Sequence, residues 1–376
     1  MKKSLKIVIA PDSFKGSVSA AMAAEAIKKG LQSVLPHADV LCVPIADGGE
    51  GTLETLVSPK DRIACRVTGP RFAPVCAEYG RMGDTAIIEM ASAAGLTLLS
   101  EAERSAGLST TYGVGELILD ALQKQCKTCI LTVGGSATND GGAGMLAALG
   151  ARFYDANGKA FVPTGLTLEK IASIDLEGLS PLLASCTFRI ATDVKNPLLG
   201  TEGATRVYGR QKGASDAELD AIEQGMAHYA ALLQKLSQKE ISTVAGCGAG
   251  GGLSAPLLAF SGATVCSGID AVLDTLGFSE TIRGADLILT GEGKIDRQSL
   301  FGKAISGVAS RAGKQEIPVY CFVGCIGDDI NVLRSMGIRD VFAVADRAAS
   351  VADSMQNAAH YLEQMAKEFA LTSLTK

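Results

Sequence analysis

Between Lys127 and Gly150 the chain reads KTCILTVGGSATNDGGAGMLAALG, an apolar run that stops abruptly in a loop of glycines and small polar residues. Cys129–Val133 has the length and continuous hydrophobicity of a strand buried on both faces, and Met145–Leu149 begins an apolar helical pattern. Gly134, Gly135, Ser136, Thr138, Asn139, Asp140, Gly141, Gly142 and Gly144 lie between them. A strand, a glycine loop and a helix in that order form the unit of an α/β protein. Glycine lets the main chain pass close to a ligand, and successive N–H groups in such a turn make an anion site. The same spacing also suits a tight connection that uses glycine only for its φ angles.

The pattern recurs at both chain ends. Leu5–Ala10 is strand-like and leads into Asp12, Ser13, Lys15 and Ser17, then into a helix with Met22, Ala23, Ala26, Ile27, Leu31 and Val34 on one face and Ser17 or Ser19 as N-cap. Val40–Ile45 runs into Asp47-Gly48-Gly49-Glu50-Gly51, and Asp286–Thr290 into Gly291-Glu292-Gly293-Lys294-Ile295-Asp296. Val319–Val323 and Asp340–Val344 read as further strands, and 351–369 as one amphipathic helix. In the middle, Ile63–Val67, Val75–Tyr79 and Thr85–Met90 alternate between Gly-Pro and Gly-Asp turns, which suits antiparallel pairing. Asn157-Gly158 marks a hairpin, and Glu218–Leu236 is amphipathic. The expected fold is therefore α/β with two domains: residues 1–61 plus 264–376 as a discontinuous parallel-sheet domain, and 62–263 inserted. A cleft between domains is the default ligand site.

Composition excludes several function classes. Net charge is −5, so no overall basic surface recommends nucleic acid. The apolar run after Lys2 and Lys3 ends at Pro11, too short for a signal peptide, and no stretch reaches membrane length. The ten cysteines show no paired zinc or disulfide spacing, which fits reduced thiols in a cytoplasmic protein. His37, His228 and His360 fall away from every glycine loop and GxSxG is absent, which argues against a histidine triad or metal cluster. Gly246–Gly251 matches G-x-G-x-x-G, but Pro256 falls where the second turn of a dinucleotide-binding helix should be. The strand ends instead collect Asp12, Lys15, Asp47, Ser136, Asp140, Asp193, Asn196, Glu292, Lys294 and Asp296. Carboxylates, lysines and glycine loops are the requirements of phosphoryl transfer, although Walker A and protein-kinase signatures are missing.

APDSFKGS at 10–17, PIADGGEGT at 44–52, GGSATNDGGAGM at 134–145, ATDVKNPLLG at 191–200, YGRQKGA at 208–214 and LTGEGKIDRQSLFGKA at 289–304 resemble, in order, the motif series of the bacterial type 1 glycerate kinase family. The resemblance spans the chain nearly end to end. It implies ATP-dependent phosphorylation of D-glycerate to 2-phosphoglycerate, in glyoxylate or sugar-acid catabolism, and a flavodoxin-like domain built from both chain ends. It leaves monomer and homodimer open. Within that reading Asp193 is the expected general base on the substrate hydroxyl. Lys15, Lys294 and Lys212 are expected on the glycerate carboxylate and the ATP phosphates, and Asp47 or Asp296 on Mg²⁺. Asp12, Ser13, Ser136, Thr138, Asp140, Asn196, Gly291 and Glu292 complete the expected binding set. The rivals are a kinase giving 3-phosphoglycerate, an NAD-dependent oxidoreductase using Gly246–Gly251, and a non-catalytic hydroxy-acid sensor.

Overall fold

The computed structural model of the chain describes residues 4–49, 51–295, 303–327 and 331–375. It divides into two compact units, Met1–Leu56 with Gly268–Lys376, and Val57–Ser267.

The first unit is organised by strand Lys6–Pro11, whose Ile7, Val8, Ile9 and Ala10 are fully buried. An unbroken apolar run of this kind needs cover on both faces, which a central parallel strand has. The strand pairs with Asp39–Cys42 on one side and Leu287–Gly291 on the other, and Val319–Val323 and Ile338–Ala343 continue the sheet, all parallel. Counted along this unit the strand order is 2-1-3-4-5, the flavodoxin-like order, which reverses between the first and third strands. Open sheets of this kind bind ligands at that reversal, beyond the carboxyl ends of the strands. Pro11 stands opposite Gly291 there.

Helices Ala20–Gln32 and Ala358–Phe369 cover one face, and Gly268–Thr275 and Ala304–Gly313 the other. Ser19 caps the first helix by accepting from the Met22 N–H at 3.2 Å, whereas the Ser17 hydroxyl donates to the Met355 carbonyl. Gly30 allows the first helix to meet the C-terminal one so closely that a Cβ there would lie 2.2 Å from the Glu363 carbonyl oxygen. The single helix expected over 351–369 is two, Val351–Gln356 and Ala358–Phe369. Asn357 leaves helical geometry at φ −108°, and Asp353 bridges the break by accepting from Asn357 Nδ2 at 2.7 Å and the Tyr361 hydroxyl at 2.6 Å.

In the second unit the sheet order is Thr264–Cys266, Thr187–Ala191, Thr128–Thr132, Thr85–Glu89, Pro74–Met82 and Arg62–Thr68. The first four strands are parallel and the last two antiparallel, so the alternating segment after Arg62 forms the antiparallel margin of a mixed sheet. Met82 pairs with Thr85 across Gly83-Asp84, and the left-handed φ of +64° at Gly83 suits a two-residue hairpin turn. Asn157-Gly158 turns the small hairpin of Arg152–Tyr154 with Ala160–Phe161, to which Ser173–Asp175 adds. Helix Asp216–Ser237 opens with a capping box between Ser215 and Glu218. The expected class, α/β with a flavodoxin-like parallel sheet drawn from both chain ends, is the class observed. Among the described residues no helix is long and apolar enough to cross a membrane.

Gly30→Ala should destabilise the chain by about 2–3 kcal/mol in denaturant unfolding, because the helices must separate to admit the methyl group. Gly313→Ala is the control: a Cβ there meets nothing within 4 Å, so the better helix former should be neutral or add up to about 1 kcal/mol.

Candidate active site

In the first unit the strand reversal opens into a cavity of about 530 Å³, lined at its polar end by Asp12, Ser13, Lys15, Asp47, Glu292 and Lys294. The parallel pairing creates this grouping. Asp12 follows Pro11 directly and donates its N–H to the Gly291 carbonyl at 2.8 Å, so the residues ending two distant strands emerge side by side. Gly291 is required here, because a Cβ would fall 1.8 Å from the Phe322 carbonyl oxygen. The Asp12 side chain is only 6% exposed, and its Oδ1 accepts from the Ser13 N–H at 2.6 Å. Burial pushes its carboxyl up to about 7; the Ser13 N–H opposes this, the charge of Asp47 adds to it, and Lys15 and Glu292 act more weakly in opposite senses. Asp47 accepts from the Gly49 N–H at 2.9 Å and stands 3.8 Å from Lys15 Nζ. The Lys15 side chain is 77% exposed, so that ion pair is weak and the ammonium can turn to an anion in the cavity.

The second unit carries a smaller cavity of about 170 Å³, bordered by Gly135, Ser136, Thr192, Tyr208 and Lys212. Asp140 organises the loop behind it. Its carboxylate is fully buried and accepts from the Thr111 N–H and hydroxyl, both at 2.8 Å, and from the N–H groups of Gly142 at 3.1 Å and Gly144 at 3.2 Å. Expected to touch the substrate, Asp140 instead lies behind the cavity wall, with its acceptor capacity committed to the loop. Thr138 is also fully buried, and its carbonyl accepts from Lys212 Nζ at 2.8 Å. Lys212 is 2% exposed, and burial pulls its ammonium down to about 7, against the charge of Asp140. Asn196 does not border the cavity: it donates Nδ2 to the Glu202 carbonyl at 2.8 Å and accepts from the Tyr208 hydroxyl at 2.6 Å, so it positions Tyr208. Asp193 stands exposed between two lining residues, Thr192 and Val194.

The expected residues thus fall into two groups, one per unit. Asp12, Ser13, Lys15, Asp47, Glu292 and Lys294 line the first cavity with Gly291 at its strand end; Ser136 and Lys212 line the second, with Thr138 and Asp140 behind and Asp193 beside it. Asp296 lies outside the described residues. Tyr208 and Thr192 were missed as lining residues; both fall inside motifs noted in the sequence, but no local pattern shows that a tyrosine ending a short helix turns into a cavity. Gly246–Gly251 is not a dinucleotide loop. A turn rather than a strand precedes it, Gly250, Gly251 and Gly252 are all left-handed, and a Cβ on Gly251 would lie 2.0 Å from the Thr138 carbonyl oxygen. These glycines let two loops pack together, with the Gly141 N–H donating to the Gly251 carbonyl at 3.0 Å.

Carboxylates and lysines at a flavodoxin-like strand reversal, with a buried lysine beside a glycine loop in a second unit, make this an α/β enzyme of the phosphotransferase kind. Residues 7–374 match the glycerate kinase family. The chain is similar to the glycerate kinase of Bacillus subtilis (strain 168), 44% identical over 370 residues and 97% of each chain. It is similar to the glycerate 2-kinase of Escherichia coli (strain K12), 43% identical over 373 residues and 98% of each chain. A solved structure from Salmonella typhimurium LT2 superposes with a TM-score of 0.89 at 40% identity, covering 98% of both chains. The chain belongs to the glycerate kinase family.

Lys212 yields a pH signature. Its folded pKa lies below its unfolded value, so the cost of burying the ammonium is fully present below about pH 7 and fades as pH rises toward the unfolded pKa of 10.5. Lys212→Met should therefore gain stability over the parent mainly at low pH, by on the order of 3–4 kcal/mol, with the gap closing toward pH 10. Paired denaturant titrations at pH 6 and pH 9.5 check this; a gap independent of pH would show that the ammonium is not desolvated.

Proposed function

We propose that the chain transfers the γ-phosphoryl group of ATP to the 2-hydroxyl of D-glycerate, giving 2-phosphoglycerate and ADP. The observation that carries the reading is Lys212, a buried ammonium whose hydrogen bond is to a neutral carbonyl and which faces a cavity sized for a small molecule. Burial disfavours the ammonium even with the charge of Asp140 nearby, and the carboxylate of a small hydroxy-acid in the cavity would favour it further. Tyr208 and Ser136, on the same cavity, can hydrogen-bond the substrate hydroxyls.

In the reaction the substrate hydroxyl oxygen forms a bond to the γ-phosphorus while the bond from phosphorus to the ADP oxygen breaks, and the hydroxyl proton passes to a carboxylate. Asp193 is assigned as that acceptor, being the carboxylate between two residues that line the small cavity. Lys15 and Lys294 offset the charge of the phosphates. Among the described residues no three His, Cys, Asp or Glu side chains are placed to hold a metal ion unaided. A magnesium nucleotide requires only one or two carboxylates, and Asp47 with Asp12 offers hard oxygen donors in a cavity where burial, and then the charge of Asp47, raise the Asp12 carboxyl. Those two would hold Mg²⁺, whose charge neutralises the triphosphate.

Phosphorus NMR of the product from D-glycerate, ATP and Mg²⁺ tests the reading. A 2-phosphoglycerate resonance is expected; 3-phosphoglycerate would reverse the substrate in its site, and no phosphoester would overturn the proposal. Asp193→Asn should lower kcat by about 10²–10⁴-fold with little change in KM for ATP. A fall of only a few-fold removes Asp193 from the role of base.

A further inference from the structure

The two cavities differ about threefold in volume, the larger having room for a nucleotide and the smaller for a small hydroxy-acid. The larger one also has two chemical halves. Its strand-end residues are charged, as is Lys303, while the segment after the last strand lines it mostly with carbon: Ala345, Ala348, Val351 and Met355, with Ser350 and Ser354 among them. Val351 and Met355 are four residues apart on helix Val351–Gln356 and so share a face, and they are 78% and 43% exposed. Large apolar side chains left in water along a cavity wall mark a binding surface. The hydroxyls of this helix are engaged: Ser350 Oγ accepts from the Asp353 N–H at 3.1 Å, and Ser354 Oγ donates to the Val351 carbonyl at 2.9 Å. The wall is held to the charged half. The Ser17 hydroxyl donates to the Met355 carbonyl at 2.5 Å, and a Cβ on Gly16 would come within 3.2 Å of the Met355 methyl group.

We propose that this cavity is the nucleotide site, with the purine base lying on Ala348, Val351 and Met355 and the triphosphate directed toward Asp12, Lys15 and Lys294. The inference rests on the kinase reading, which already directs the triphosphate to this cavity, and adds which side chains take the base. A flat apolar ring needs an apolar partner surface, and the thioether of Met355 is polarizable and adjustable enough to follow it. The phosphates meet lysines and the carboxylates that would hold their metal ion. Placement at the reversal of the strand order agrees with where such sheets bind nucleotides.

The test uses the full chain and three probes: ADP with Mg²⁺ by calorimetry, inorganic triphosphate by the same method, and steady-state kinetics. Val351→Glu and Met355→Glu change exposed positions, so both variants should keep the thermal midpoint of the parent. Each should weaken ADP binding and raise KM for ATP by about tenfold or more, with KM for glycerate within about twofold. Triphosphate, which has no base, should bind the parent and both variants alike. Unchanged ADP affinity in both glutamate variants, or an equal loss of triphosphate, would remove the base from this wall while leaving the kinase reading intact. A parent chain that binds no nucleotide at all would overturn both.

Discussion

Strand Lys6–Pro11 pairs in parallel with a strand about 280 residues downstream, and the rest of the first unit depends on that ladder. It joins the two ends of the chain into one sheet, defines the reversal in strand order, and sets Asp12 and Glu292 at neighbouring strand ends. Contacts this distant in sequence must offset a loop-closure cost, although that cost grows only logarithmically with length. Fully buried Ile7, Val8, Ile9, Ile288 and Leu289 supply the compensating apolar burial. The polar end of the larger cavity is thus a consequence of core packing rather than of any local loop preference.

Both cavities hold charge where charge is expensive. Asp12 is buried near other carboxylates, and Lys212 is buried against a carbonyl. Neither arrangement helps the fold, since an apolar residue of similar size would cost less at each position. Asp140 is different: four donors oppose the effect of its burial without cancelling it, and it stabilises the loop that Lys212 leans on. The distinction between a carboxylate that holds structure and one poised for a ligand lies in how many of its lone pairs the protein itself satisfies.

The glycine excess has the same double character. Gly291, Gly251 and Gly30 are each required by a backbone carbonyl within about van der Waals reach of where a side chain would begin, and none of the three is needed for a ligand to approach. Gly134 and Gly135 face the small cavity, where an absent side chain leaves room for substrate. Glycine content therefore announced close packing as much as a binding loop, and the run at Gly246–Gly251 is the clearest case of the former.

The strands, the helices and the α/β class were legible because hydrophobic runs of strand length and 3.6-residue periodicity are local properties, as at Ile7–Ala10 and in the helix from Asp216. So was most of the polar end of the larger cavity, since residues that follow strands in a parallel sheet emerge at one edge. The break at Asn357, the enclosure of Asp140, the service of Asn196 to Tyr208 and the apolar wall at Val351 and Met355 were not legible. Two of these are set by partners far away in sequence: Thr111 for Asp140, the Asp12–Ser17 turn for Met355. What the sequence by itself determined is which residues could carry charge, turn the chain or fill a core. Only the tertiary structure decided which charges are spent on the fold and which face a cavity, because burial and hydrogen-bond partnership arise from contacts between segments and not within them.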